Sequence, residues 1–159
     1  MDRNAFWTIV EQARNEDPEQ PEESLREILQ QLPQESIAAF QKHFDQLFVE
    51  AYRWDLWGAA YLIGGGCSDD GFADFRYGLI SAGRKIYEAA ISNPDSLADV
   101  DIDLDNELYG YVATEVYEEK GDGEMPRTHD DRPEPLGEEW DFDDESENQA
   151  RLPRLSKKY

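Results

Sequence analysis

Cysteine occurs once in the 159 residues, as Cys67. One thiol cannot close an internal disulfide, so a disulfide-stapled secreted scaffold is excluded. Basic residues are scarce: 15 Lys and Arg stand against 37 Asp and Glu, a formal net charge of −22. A chain of that sign repels nucleic-acid phosphates and anionic lipid, which argues against direct DNA, RNA or membrane-surface binding. Long apolar runs are missing too. The most apolar stretch, Leu56 to Cys67, is too short and too Gly-rich to span a bilayer. No basic segment leading into an apolar one marks the start as a leader. The phosphate loop G-x-x-x-x-G-K-[ST], the H-E-x-x-H pair and the G-x-S-x-G elbow are all absent. A soluble cytoplasmic protein is expected, non-enzymatic and without cofactor or metal.

What is present suffices to fold. Apolar residues make up 39% and aromatics 12%, too much for a wholly disordered chain, and the length suits one domain with a tail. Charge marks the organisation. Residues 1–120 hold 25 acids and 9 bases, whereas 121–148 hold 12 acids against 2 bases, with Pro126, Pro133 and Pro135. The last eleven residues are basic and carry no acid. The expected division is a helical core domain over 1–120, an acidic extended arm over 121–148 and a basic tip over 149–159 able to dock on the core. Trp140 and Phe142 hint at a docking point within the arm, and His129 there reads as solvated.

Within 1–120 the apolar spacing is helical. Phe6, Ile9, Val10 and Ala13 follow i, i+3, i+4, i+7, with Asp2 or Asn4 as cap. Leu25 to Leu32 repeats that spacing behind Pro21, and Ile37 to Ala51 makes a longer stripe behind Pro33. Leu56 to Ile63 is apolar all round, the mark of a buried central helix. Gly64-Gly65-Gly66 ends it, and Ser68 with Asp69 and Asp70 opens the next, which runs to Gly83. Ile86–Ile91 and Tyr109–Tyr117 complete the set. Asp99 to Asp105 alternates acid with apolar residues and is expected to be an extended connector laying Val100, Ile102 and Leu104 on the core. The fold class is therefore all-α: one domain of six or seven helices with an irregular acidic arm.

The segment from Tyr52 to Phe72 holds two of the four tryptophans, the lone cysteine and a run of glycines. Its candidate binding residues are Trp54, Asp55, Trp57, Cys67, Ser68, Asp69, Asp70 and Asp74. Asp55, Asp69, Asp70 and Asp74 supply the hard oxygen atoms a divalent cation prefers, and Asp70 and Asp74 share a helix face. The structural alternative gives each residue type a job in capping, turning or core filling, and the sequence favours it. A Cys67–His43 dyad is disfavoured because Asp69 and Asp70 would raise the thiol pKa. An EF-hand is excluded at Asp99–Asp105, since Leu104 stands where the turn glycine belongs and Gly110 where the bidentate Glu belongs.

The opening Phe6-Trp7-x-Ile9-Val10-Glu11 resembles the start of the bacterial domain-of-unknown-function family numbered 4240. So does the central string from Ala51-Tyr52-x-Trp54-Asp55-Leu56-Trp57 through Gly65-Gly66-Cys67-Ser68-Asp69-Asp70-Gly71-Phe72 to Phe75. The likeness continues in Leu79-Ile80-x-x-Gly83-Arg84, Asn93-Pro94-Asp95-Ser96-Leu97-Ala98, Glu118-Glu119-Lys120 and the Leu152-Pro153-x-Leu155 tip. It implies an intracellular bacterial protein, alone or fused to other modules, and supplies no reaction or catalytic residue. One departure is Gly64, where the family often carries Asn. The recurring tip implies that Leu152 and Leu155 dock on something. Three functions follow: an interaction or regulatory module with a protein partner; a ligand- or metal-binding domain or enzyme built on the acidic segment; and an acidic mimic of nucleic acid.

Overall fold

In the computed structural model, which describes residues 1–121, 123–127 and 131–159, each helix starts or stops where a specific backbone need is met. His129 lies outside the described residues. α1 (Arg3–Glu16) opens on Asp2, whose carboxylate accepts the Ala5 amide at 2.7 Å. α2 (Pro21–Gln30) has proline in its first turn, where no amide partner is needed, and α3 (Gln34–Glu50) follows Pro33. α4 (Trp54–Gly64) stops because Gly65 turns left-handed at φ +68°, a conformation that favours glycine. The Gly66 amide then donates back to the Tyr61 carbonyl at 2.8 Å. α5 (Asp69–Ser81) opens on Ser68, whose hydroxyl accepts the Gly71 amide at 3.1 Å. α6 (Arg84–Ser92), a 3-10 segment at Pro94–Asp99, another at Leu108–Tyr111 and α7 (Val112–Lys120) complete this part.

The N-terminal helices share one apolar core. α1 packs on α2, α7 on both α2 and α3, and α5 against α3 and α6. Phe6 meets Phe40 at 4.6 Å between ring centres, Trp7 meets Tyr87 at 5.5 Å, and Phe44 meets Tyr109 at 6.1 Å. Burial of these rings is the main stabilising term, at about 25 cal/mol per Å² of apolar surface removed from water.

The helix number exceeds the six or seven expected. Among the described residues eight α-helices have seven residues or more, and there is no strand. The additions lie beyond residue 144: α8 (Glu145–Arg151) and the shorter α9 (Pro153–Lys158). Local spacing misses them because α8 has almost no apolar residues to recur and α9 is capped from a distant part of the chain. Asp144 accepts the Ser146 and Glu147 amides to start α8. The start of α9 is held from afar, for Asp95, only 5% exposed, accepts the Arg154 amide at 3.0 Å and the Leu155 amide at 2.9 Å.

The C-terminal segment covers the outer side of α4. Leu136 exchanges backbone hydrogen bonds with Tyr52 and Trp54, both 2.9 Å. Trp140 lies against Gly58, where a Cβ would stand 2.5 Å from its ring, and Phe142 meets Trp54 and Tyr61. Trp140 donates its indole N–H to Asn148 at 2.8 Å, so its burial leaves no polar atom unpaired. Leu152 and Leu155 are buried in the same core.

One connector departs from expectation. Leu104 is buried and Val100 is half-buried, but Ile102 faces solvent at 44% exposure. The Leu104 backbone passes directly over Gly78 of α5, at a site any Cβ would fill, and the Asn106 amide donates to the Asp74 carbonyl at 3.2 Å. Those two contacts fix the path and turn Ile102 outward.

Two substitutions test this architecture. Asp95→Ala leaves one buried and one part-buried amide without an acceptor and should cost about 1–3 kcal/mol in urea unfolding. Gly58→Ala improves helix propensity by up to about 1 kcal/mol but strikes Trp140. A net loss of stability with red-shifted tryptophan emission is expected. A stabilised Gly58→Ala protein would show that the arm does not press on α4.

Candidate functional site

The segment singled out in the sequence is drawn into several separate tasks. Trp54 stacks on Trp57 at 5.5 Å, and Trp57 stacks in turn on Phe72 at 4.8 Å. The Trp57 indole donates to the Cys67 carbonyl at 2.9 Å, pinning the glycine turn to α4. Asp55 stays local: it accepts the Leu56 amide at 2.7 Å and the Arg53 guanidinium at 3.3 Å. Ser68 caps α5, and Asp69 and Asp70 stand in the first turn of that helix, where its dipole favours carboxylates.

Cys67 and Ser68 line a recess of about 360 Å³ with Gly64, Gly66, Phe75, Asp103 and Asp105. Burial first, then Asp105 and Asp74, pushes the Cys67 thiol up to about 11. No bond joins it to His43, whose Nε2 lies 2.9 Å from the Met1 carbonyl oxygen and donates to it. Asp74 sits farther along α5, its carboxyl raised by burial and then by Glu107, Asp105 and Asp70. Among the described residues no group of three His, Cys, Asp or Glu side chains is placed to hold a metal ion.

Two other places have more chemical potential. The first is a cavity of about 210 Å³ lined by Phe48, Val49, Tyr52, Asp69, Arg76, Asp131 and Arg132. Of the sequence candidates only Asp69 reaches it. Arg76 was not singled out, although its position four residues after Phe72 and three before Leu79 places it on the apolar face of α5. Its guanidinium lies over Phe48, Tyr52 and Phe72 at 3.8, 4.6 and 4.9 Å. Burial lowers its pKa to about 10, so it remains a cation at neutral pH.

The second is an open groove of about 660 Å³ between the α1–α2 connection and residues 102–108. Ile102 and Leu108 present apolar surface there, Leu108 at 64% exposure. Glu19, Glu22, Asp103, Asp105 and Glu107 line the same groove, with Arg14 as its one basic lining residue. Burial, then Asp103, raises the Asp105 carboxyl above its usual range.

The model of a family described as "Protein of unknown function (DUF4240)" matches residues 1–119. No curated protein and no solved structure matches the chain.

The raised thiol pKa gives a direct expectation. Thiolate is the reactive species, so native Cys67 should alkylate with iodoacetamide about a hundredfold more slowly at pH 8 than an unfolded control. The rate should climb as pH approaches 11. Equal native and unfolded rates at pH 8 would contradict the burial argument.

Proposed function

We propose that this chain, which belongs to the DUF4240 family, is a non-enzymatic helical interaction module that docks a basic peptide segment of a protein partner in the groove between the α1–α2 connection and residues 102–108. One observation carries the reading: Ile102 and Leu108 are exposed in a groove that five carboxylates also line. Exposed leucine at such a site marks a contact surface, and the surrounding charge selects its occupant. A segment with lysine or arginine flanking an aliphatic side chain satisfies both features. The carboxylates would steer its approach and the apolar pair would hold it.

The burial of Asp105, with Asp103 beside it, supports the same assignment. Asp105 has a folded-state pKa above its unfolded value, so its ionised form costs stability at neutral pH. That cost disappears as pH falls through the raised value. A bound cation relieves it without protonation.

Fluorescence anisotropy with labelled lysine/leucine peptides is the test. Leu108→Ser should weaken binding about tenfold while leaving the thermal midpoint unchanged. Raising salt from about 0.05 to 0.5 M should weaken it further, because exposed charges are screened. Binding that ignores both changes would sink the proposal, as would failure of every basic–apolar peptide to bind. Separately, Asp105→Asn should raise the thermal midpoint slightly at pH 7, the gain fading as the pH is lowered through the carboxylate range.

A further inference from the structure

Arg76 is a buried cation whose polar needs the chain leaves partly unmet. Its side chain is 6% exposed, with Nη1 donating to the Phe48 carbonyl at 3.0 Å and Nε buried without any acceptor. Among the described residues no carboxylate forms an ion pair with it. Three aromatic faces soften the loss of water but supply no anion. Asp69 and Asp131 act on it only through space, and a buried charge without a direct ion pair has room for a further counter-charge, because desolvation is repaid by pairing.

The adjoining cavity restricts what that counter-charge can be. Arg76 and Arg132 bring positive charge to its wall, and Asp69 and Asp131 bring negative charge to the same wall, with Tyr52 between. Inorganic phosphate would meet the two carboxylates. A simple amine would meet the guanidinium groups. Only a molecule with both signs a few ångströms apart answers both. The volume of about 210 Å³ equals roughly seven waters, room for a small organic molecule but not for a nucleotide. Apolar walls at Phe48 and Val49 leave space for a short aliphatic substituent.

We propose that this cavity binds a small amino-acid zwitterion, with its carboxylate on the guanidinium groups of Arg76 and Arg132 and its ammonium group toward Asp69 and the face of Tyr52. Arginine suits the carboxylate because its planar N–H fork can engage both oxygens. The cavity shares no lining residue with the groove assigned to peptide docking, so either assignment can fail without the other.

Thermal-shift and calorimetric titration of the full chain with L-alanine would test it, with acetate, methylammonium and inorganic phosphate at matched ionic strength as comparisons. Saturating L-alanine should raise the thermal midpoint by several degrees, and none of the three comparison ions should do so. Asp69→Asn and Arg132→Gln, both near the surface, should each weaken alanine binding about tenfold with the midpoint of the free protein little changed. Arg76→Met should abolish binding; if that variant does not fold, the other two decide the matter. The proposal is overturned if L-alanine gives no shift. It is overturned equally if acetate or phosphate shifts the midpoint as much, or if Asp69→Asn and Arg132→Gln bind alanine as the parent does.

Discussion

α4 is apolar on every side, and a helix of that kind must be covered on every side. Its inner face packs on α5 and on the 3-10 segment at Pro94–Asp99. Its outer face receives Trp140 and Phe142, and no residue from Trp54 to Ile63 is left fully exposed. This requirement explains the small residues Gly58, Ala59 and Ala60, which let two layers approach one helix closely. It also explains why residues 136–148, acidic and of low apolar content, nonetheless lie against the core. The segment contributes few apolar side chains, but it places them where α4 most needs cover.

The hold on that segment is polar and buried rather than ionic and exposed. Asp95 accepts two amides from the start of α9, a helix too short to persist alone. Around it Arg154 pairs with Asp99, and Lys158 with Asp101 at 2.7 Å. Such exposed pairs contribute little individually and weaken with salt. They match the basic tip to the acidic body and set its orientation, while Asp95, Leu152 and Leu155 supply the anchoring. The motifs Asn93-Pro94-Asp95 and Leu152-Pro153-x-Leu155 are thus two halves of one joint.

Most helices were legible because their apolar residues recur at helical spacing and their ends carry Asp2, Pro21, Pro33, Gly65 or Ser68, each with a local backbone role. The remaining features depend on contacts distant in sequence. α9 takes its cap from a residue about sixty positions earlier, so no local window contains the signal. Ile102 follows the alternation of its neighbours, yet the close passage of Leu104 over Gly78 reverses its direction. At the site level, the conspicuous residues between Tyr52 and Phe72 serve in capping and stacking. Arg76 is ordinary in composition and becomes chemically notable only when Phe48, Tyr52 and Phe72 converge around it.

The order in which the chain is made gives the C-terminal cover of α4 a further meaning. α4 is synthesised well before Trp140, Leu152 and Leu155. At about 5–20 residues per second, the stretch from Lys120 to Lys158 takes on the order of a few seconds to synthesise. During that interval the outer side of α4, with Trp54, Gly58 and Tyr61, has nothing over it. The nascent protein therefore passes through a period in which its most apolar helix is open to chaperones or to another nascent copy. The −22 charge of these 159 residues, most of it already present by residue 120, works against association of neighbouring copies.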